Sequence, residues 1–365
     1  MKIKKTEAVC FLVNFITAKL FVSAPGAFIN IGKNAAWLSV IINTAAAYFS
    51  FLIIHYFYKK CGKKDMLLCL PPFLRRISGI IIAMYLLISA GMTLALLIRG
   101  VVRTFMPETP SFLISLLFLI STVYAAKKGI AANVRLSVLT APLLCIIPIV
   151  AAALIPHVEI TNLFPLLGDG DFYFSSLFGF GFFSDLIVYY LIVPYLENEK
   201  DAFAVGNISV GISAALCLLV VLPSTLTIPY QANFVSHFYQ MLTFMAGSNS
   251  VINIIKIFKL VFLINFFLYI SGAAAFAGHT LKKSFDLQYS EGVIFILSLL
   301  IIMTEEMSYK TMTGPEAYEK FMSLAFIVFP LTVITAYLFG GRFKREKNIG
   351  SHSGSVNADK SFGML

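Results

Sequence analysis

The sequence predicts an all-α polytopic membrane protein with ten transmembrane helices. Its 365 residues are 59% hydrophobic and 13% charged, whereas a soluble globular chain carries about 25% charged residues. Apolar runs near the roughly 20 residues that cross a bilayer recur along the chain, and basic residues cluster in alternate loops between them. The predicted spans are residues 8–30, 36–58, 77–102, 111–127, 133–155, 172–196, 204–229, 254–278, 289–304 and 317–340.

The distribution of Lys and Arg predicts the orientation of these spans. Counting loops and span ends, 20 basic residues fall on one side and 5 on the other. Because cytoplasmic loops carry the excess of Lys and Arg, both termini are expected in the cytoplasm. The net charge of +10 therefore indicates topology and not nucleic-acid binding. Residues 1–340 form the predicted transmembrane domain, and the basic, Ser/Gly-rich residues 341–365 a flexible cytoplasmic tail.

A helix-breaking segment interrupts the first predicted span. Ala24, Pro25 and Gly26 follow Ser23 in an otherwise apolar run, although proline and glycine cost roughly 3 and 1 kcal/mol relative to alanine in a helix interior. Unwound backbone at membrane depth is tolerated only where protein or a water-filled cavity satisfies it. For one such break alone, a packing kink is the simpler explanation, since Gly and Pro are frequent in membrane helices.

The sixth predicted span carries a second break. Gly179 and Gly181 flank Phe180, and Asp185 follows one turn later. The two broken spans stand five spans apart, so they cross the membrane in opposite directions. Such a pair is typical of inverted-topology repeats, whose ligand site lies near the bilayer midplane. The sequence therefore predicts a 5+5 inverted repeat.

The two breaks also predict the chemistry of a ligand. An interrupted helix exposes N–H groups where one half starts and C=O groups where the other half ends, and these favour anions and cations respectively. A zwitterionic amino acid presents both charges, and small and aromatic side chains at the breaks favour a small, mainly apolar ligand. The residues predicted to line the site are Ser23, Ala24, Pro25, Gly26, Phe178, Gly179, Phe180, Gly181 and Phe182.

Four polar residues inside the spans are further candidate site residues. Asn265 lies near the centre of the eighth span with Tyr269 one turn further on, and its amide either contacts the ligand or makes a helix–helix hydrogen bond. Lys19 and Asp185 lie roughly 9 and 6 Å on the cytoplasmic side of their breaks at 1.5 Å per residue. Unpaired charges near the bilayer centre cost roughly 2.5–3.5 kcal/mol. We therefore expect an ion pair, the alternative being two separately hydrated charges.

Signatures of an enzyme or a metal protein are missing from the sequence. It contains no H-E-x-x-H motif, no glycine-rich phosphate loop and no paired carboxylates within a span. Its 5 cysteines never occur with C-x-x-C spacing. Glu305 and Glu306, at the outer end of the ninth span, are predicted to be a solvated pair. We expect no catalytic residues, no cofactor and no metal.

Five segments resemble those of endospore germination permeases. The resemblance covers about residues 6–340, with Asp185 where glutamate is common in the family and Lys19 as an addition within the first span. The segments are GKNAAWLSVIINTAAA (32–47), FMPETPSFLIS (105–115), KKGIAANVRLSVLTAPL (127–143), ITNLFPLLGDG (160–170) and FGFGFFSDLIVYYLIVPYLEN (178–198).

The resemblance implies a fold, a function and partners. It implies the B subunit of a germinant receptor in the inner membrane of bacterial endospores, similar to amino acid–polyamine–organocation transporters with the LeuT fold. The implied partners are a small-molecule germinant, with an amino acid favoured, the receptor's A and C subunits, and the lipid bilayer. The alternative is an ion-coupled secondary amino acid transporter, which has the same fold but moves its ligand across the membrane.

Overall fold

The computed structural model describes residues 2–21, 24–63, 65–104, 108–166, 179–227, 249–286 and 291–311, and these are almost entirely helical. The α-helices are α1 (Lys5–Thr17), α2 (Ala24–Gly32), α3 (Ala36–Lys60), α4 (Pro72–Thr104), α5 (Ser111–Lys127), α6 (Gly129–Thr140), α7 (Ile146–Leu154), α8 (Ile187–Ile192), α9 (Ala202–Thr227), α10 (Asn249–Phe285) and α11 (Glu291–Thr311).

Five stretches of the described chain are long and apolar enough to cross a membrane, and two shorter helices are also apolar. The long stretches are Lys33–Lys60, Pro72–Arg99, Gly129–Ala152, Glu199–Thr227 and Leu263–Phe285, and the short ones Ser111–Lys127 and Gly181–Tyr195. Each lies within or overlaps a predicted span. The predicted tenth span, residues 317–340, lies outside the described residues, as does the tail.

The first span is interrupted earlier than the sequence suggested. The helix α1 ends at Thr17, a 3-10 turn covers Ala18–Phe21, and α2 begins at Ala24. Pro25 is therefore the second residue of a new helix, and it does not itself end the old one. Proline fits the first turn of a helix, where its missing N–H would have no intrahelical partner. The prediction of a break at Pro25-Gly26 was wrong by one to two turns.

The described part of the sixth span is mostly 3-10 helix. A 3-10 helix covers Gly179–Leu186, α8 follows, and a further 3-10 turn covers Val193–Tyr195. We expected Asp185 to lie on an α-helix after Gly181, but it lies within the 3-10 helix. Glycine lowers α-helical propensity, and a 3-10 helix has 3.0 residues per turn instead of 3.6, which changes the directions of successive side chains.

The helix α1 occupies the centre of the bundle, where it packs against α6, α9, α10 and the 3-10 helix of the sixth span. Around it, α3 packs on α9, and α4 packs on α10 and α11. Glycine permits the closest approaches. A Cβ atom on Gly206 of α9 would lie 2.0 Å from the Phe51 ring of α3, and one on Gly91 of α4 would lie 1.8 Å from Thr304 Oγ1 of α11.

The first and sixth spans run side by side in opposite directions. At one end, the Ile3 N–H donates to the Tyr195 carbonyl and the Glu197 N–H donates to the Ile3 carbonyl, both at 2.9 Å. At the other end, the Lys19 side chain reaches the Gly181 carbonyl at 3.4 Å. This arrangement places the irregular segments of the two spans next to each other.

Candidate functional site

A buried ion pair joins the two interrupted spans. Lys19, in the 3-10 turn of the first span, lies with its Nζ 2.8 Å from Asp185 Oδ2 in the 3-10 helix of the sixth span. The two side chains are only 1% and 0% exposed. The structure thus brings together the two charges that the sequence placed at similar depth.

Hydroxyl groups from two other spans complete the coordination of the carboxylate. Tyr85 of α4 donates to Asp185 Oδ1 at 2.8 Å, and Tyr269 of α10 donates to the same oxygen at 3.3 Å. Ser89, one turn along from Tyr85, lies 2.6 Å from the Tyr269 hydroxyl. Hydrogen bonds to an ionised partner are stronger than neutral ones. This set of donors stabilises Asp185 as a carboxylate.

The ammonium group of Lys19 is equally well surrounded. It donates to the Tyr85 hydroxyl at 3.1 Å and lies 3.5 Å from Ser184 Oγ. It also lies 5.7 and 5.9 Å from the ring centroids of Tyr85 and Tyr269, within the range of cation–π attraction. A buried charge is tolerated when it is paired and hydrogen-bonded. We refer to Lys19, Tyr85, Ser89, Ser184, Asp185 and Tyr269 as the ion-pair cluster.

The cluster links the first, third, sixth and eighth predicted spans. Half of its six residues were not predicted from the sequence. Tyr85, Ser89 and Ser184 were not singled out. A signal for two of them was present, because Tyr85 and Ser89 are polar residues four positions apart in an apolar run and therefore share one helix face. Nothing local indicated that this face meets Asp185.

Asn265 lies on the stripe of α10 that faces α1. Along this stripe the Phe276 ring packs on Phe11 at 5.6 Å, and the Tyr269 ring packs on Phe15 at 4.5 Å. Asn265 lies one helical turn before Tyr269 on the same face of α10. Because the two helices are antiparallel, Asn265 therefore lies beside the 3-10 turn that follows α1, and α10 packs against this turn. Its side chain is 3% exposed, and neither amide atom has a hydrogen-bond partner in the described chain.

Two consequences follow for Asn265. The helix–helix hydrogen bond considered as an alternative is not found among the described residues. A buried amide without partners retains the full cost of its desolvation, about 1–3 kcal/mol. A ligand that supplied both a donor and an acceptor at this position would recover that cost.

The residues predicted to line the breaks are only partly described. Ser23 and Phe178 lie outside the described residues. Ala24 and Pro25 begin α2, one turn beyond the ion-pair cluster.

The remaining predicted lining residues bring the two spans into contact. Gly179 and Phe180 begin the 3-10 helix, which leads to Gly181, whose carbonyl Lys19 contacts. Gly26 is buried within α2. The Phe182 ring is 6% exposed and lies edge-on to the Phe28 ring of α2 at 6.1 Å. The outer part of the first span therefore also packs on the sixth.

One prediction about charge was wrong. We expected Glu305 and Glu306 to be solvated together, but Glu305 is 1% exposed and lies 3.0 Å from Ser115 Oγ of α5. Glu306 is half-buried. Among the described residues, no group of three or more His, Cys, Asp or Glu side chains could hold a metal ion.

The fold and the site define a class of protein: a multi-pass helical membrane protein of the LeuT-like transporter fold. The chain resembles the nucleobase-cation-symport-1 family transporter Mhp1, solved in a closed conformation with bromovinylhydantoin bound, with a TM-score of 0.62 and 14% identity over 92% of this chain and 77% of that chain. It also resembles a substrate-bound, outward-open Na⁺-coupled sialic acid symporter, with a TM-score of 0.55 and 13% identity over 92% of this chain and 78% of that chain.

Sequence comparison then identifies the family. Residues 2–314 match the spore permease family, described as spore germination protein, and the chain belongs to this family. A comparison with curated protein sequences finds no match. The resemblance to endospore germination permeases is therefore confirmed.

Proposed function

We propose that this chain is the membrane subunit of a germinant receptor, which recognises a small germinant at a midplane site and triggers spore germination. Family membership supports the link to germination. The observation that carries the proposed site is the ion-pair cluster, because it joins the irregular segments of two antiparallel spans within one buried polar network. Any ligand that moves one segment relative to the other must change this network.

We further propose ten spans in a 5+5 inverted repeat, with halves at residues 8–155 and 172–340 and both termini in the cytoplasm. The packing supports this symmetry. In such a repeat, α3 corresponds to α9, α4 to α10 and α5 to α11. The two helices of each of these pairs are in contact. The symmetry also predicts that if α4 contacts α11, then α10 contacts α5, and both contacts are present.

The depth of the site is consistent with a midplane location. From Leu196, beside the N-terminal segment, to Asp185 the chain advances about 11 residues, or roughly 17–22 Å at the rises of α- and 3-10 helices. A bilayer core is about 30 Å thick. If Leu196 lies at the cytoplasmic edge of that core, the ion-pair cluster lies near its centre.

The chemistry of the site favours an amino acid. Lys19 and Asp185 neutralise each other, so a ligand of net charge would find no counter-charge in the cluster. The zwitterionic ends of an amino acid would instead be met by backbone groups at the start of α2 and the end of the 3-10 turn. Asn265 offers a donor and an acceptor alongside, while Phe28 and Phe182 offer apolar contact. The A and C receptor subunits are proposed as partners that transmit the response.

A thermal-shift screen of the purified full chain against single amino acids tests this site. A ligand at 100 times its Kd should add roughly 2.7 kcal/mol to the stability. Gly26→Leu and Gly181→Leu should abolish the shift, because each adds a bulky side chain at a buried position near the irregular segment of its span. Gly211→Leu is the matched control, since a Cβ atom at Gly211 meets nothing within 4 Å. If both break variants keep the shift, the site lies elsewhere, and spores carrying them should then germinate normally.

The second candidate is an ion-coupled secondary amino acid transporter, which the fold similarity to two symporters favours. Proteoliposomes holding the purified chain distinguish the two functions. A receptor subunit should bind a radiolabelled amino acid without accumulating it. Accumulation against a gradient would establish transport and contradict a purely sensory role.

A further inference from the structure

A second buried carboxylate lies outside the ion-pair cluster. Glu305 of α11 faces α5, and its Oε2 lies 3.0 Å from Ser115 Oγ. Glu305 is 1% and Ser115 2% exposed. The other oxygen, Oε1, is buried and has no hydrogen-bond partner in the described part of the chain. Among the described residues, this carboxyl group thus has a single hydroxyl as its hydrogen-bond partner.

Among the described residues, no Lys, Arg or His side chain forms an ion pair with Glu305. Arg99 of α4 directs its guanidinium to the Ser308 carbonyl at 3.1 Å, one turn beyond Glu305. The adjacent half-buried Glu306 would add repulsion. From 261 to 281, α10 carries two titratable side chains, Tyr269 in the ion-pair cluster and His279 bonded to the Tyr195 hydroxyl. An ionised carboxylate buried without a counter-charge costs several kcal/mol.

The hydrogen-bond geometry fits the protonated acid better than the carboxylate. Ser115 Oγ lies 3.2 Å from the Ser111 carbonyl as well as 3.0 Å from Glu305 Oε2. A serine hydroxyl has one hydrogen to donate. If Glu305 is ionised, Ser115 can therefore donate either to the Ser111 carbonyl or to Glu305 Oε2, but not to both. With a protonated Glu305, its O–H donates to Ser115 Oγ and the Ser115 O–H donates to Ser111. Both contacts are then hydrogen bonds.

We infer that Glu305 is a proton-binding site between α5 and α11, separate from the ligand site. The proton is taken from water at the outer end of the bundle and returned there when the contact between α5 and α11 opens. Loss of the proton leaves a buried carboxylate with one neutral partner, which favours separation of the two helices or entry of water. Protonation of this group therefore stabilises the closed contact between the fourth and ninth predicted spans. The inference is independent of the germinant and of the proposed receptor function.

Infrared difference spectroscopy of the purified full chain between acidic and alkaline buffer tests the proton site. The wild type should show the C=O stretching band of a protonated carboxylic acid that disappears at alkaline pH. Glu305→Gln should lose this band, and Glu306→Gln, the matched control one residue away, should keep it. A band that persists in Glu305→Gln, or that the wild type never shows, would overturn the inference. Glu305 would then be ionised, with water or a bound cation as its partner.

The pH dependence of thermal unfolding gives a second readout. A folded state that holds a proton which the unfolded chain releases loses stability as pH rises. Glu305→Gln should flatten this decline, whereas Glu306→Gln should retain it. Identical slopes in the wild type and Glu305→Gln would contradict the inference. If Glu305→Gln does not fold, Ser115→Ala replaces it in both experiments, and it should shift the infrared band, since it removes the one hydrogen-bond partner that Glu305 has among the described residues. An unshifted band would also overturn the inference.

Discussion

Asp185 and Glu305 are two carboxyl groups buried to the same extent, 0% and 1% exposed, in one helical bundle. Asp185 has a lysine at 2.8 Å and two tyrosine hydroxyls on its oxygens. Among the described residues, Glu305 has one serine hydroxyl as its hydrogen-bond partner. We therefore expect that partners, and not burial, decide which form each of these acids takes. The first site holds a balanced pair of charges, and the second suits a neutral acid.

The two sites differ because their helices differ in regularity. Asp185 lies where the first and sixth spans are drawn into 3-10 turns, and side chains from four spans converge there. Glu305 lies on the continuous helix α11 and forms a hydrogen bond with Ser115 of α5 across an ordinary helix–helix contact. Irregular backbone thus accompanies the site with many partners, as expected for a functional site in a membrane transporter fold.

The largest expected effect tests the charge balance at Asp185. Lys19→Met or Asp185→Asn alone should lower the free energy of unfolding by about 3–5 kcal/mol, because each leaves one buried charge without its partner. The double variant should lose less than either single one and should retain more ligand response. Denaturation in detergent measures the stabilities, with Lys5→Met on the exposed face of α1 as the control. Simply additive losses would mean that the two residues do not interact.

A smaller effect is expected from the hydroxyl groups around Asp185. Tyr85→Phe removes the 2.8 Å hydrogen bond to the carboxylate and one acceptor of Lys19. Hydrogen bonds to charged groups contribute about 1.5–3 kcal/mol, and a loss of that size should appear in the unfolding free energy. Tyr124→Phe, on a side chain that is 66% exposed, should be neutral. Equal stability of both variants would show that the hydroxyl of Tyr85 adds nothing to the pair.

Asn265 extends the comparison to a buried polar group that is neutral and has no hydrogen-bond partner among the described residues. Asn265→Leu should leave stability unchanged or raise it by about 1 kcal/mol, because it removes an unsatisfied amide. The same variant should lose or alter the ligand-induced thermal shift. A destabilised variant with an unaltered ligand shift would instead indicate a structural role. Measuring both the stability and the ligand-induced thermal shift therefore distinguishes a ligand-contacting role of Asn265 from a packing role.

The smallest effect should come from neutralising Glu305. At acidic pH, Glu305→Gln should change the unfolding free energy by less than about 1 kcal/mol, since an amide replaces a neutral acid of the same shape. This outcome contrasts with the large loss expected for Asp185→Asn, although both changes convert a carboxyl group to an amide. Similar losses of stability at the two positions would show that Glu305 is ionised, and would contradict the proposed contrast between a charged Asp185 and a neutral Glu305.

Much of the protein follows from local sequence. Composition and the alternation of basic loops predict a multi-pass membrane protein, because lipid imposes a length and a polarity on every span. The breaks in the first and sixth spans predict the pairing of Lys19 with Asp185, since helix rise converts sequence distance into depth. The ordered motifs predicted the family, which the match over residues 2–314 confirms.

Beyond the Lys19–Asp185 pair, tertiary structure alone decided which polar groups meet. Tyr85 is 100 positions from Asp185, and Ser115 is 190 positions from Glu305. No periodicity within one span encodes such contacts, so Glu305 was wrongly predicted to be solvated and Tyr85 was missed. The exact residue at which the first span unwinds was likewise decided by packing, because Pro25 tolerates the first turn of a helix as well as a break. Sequence predicted a similar depth for Lys19 and Asp185, whereas the packing of neighbouring helices determined the hydroxyl partners of Asp185 and the partner of Glu305.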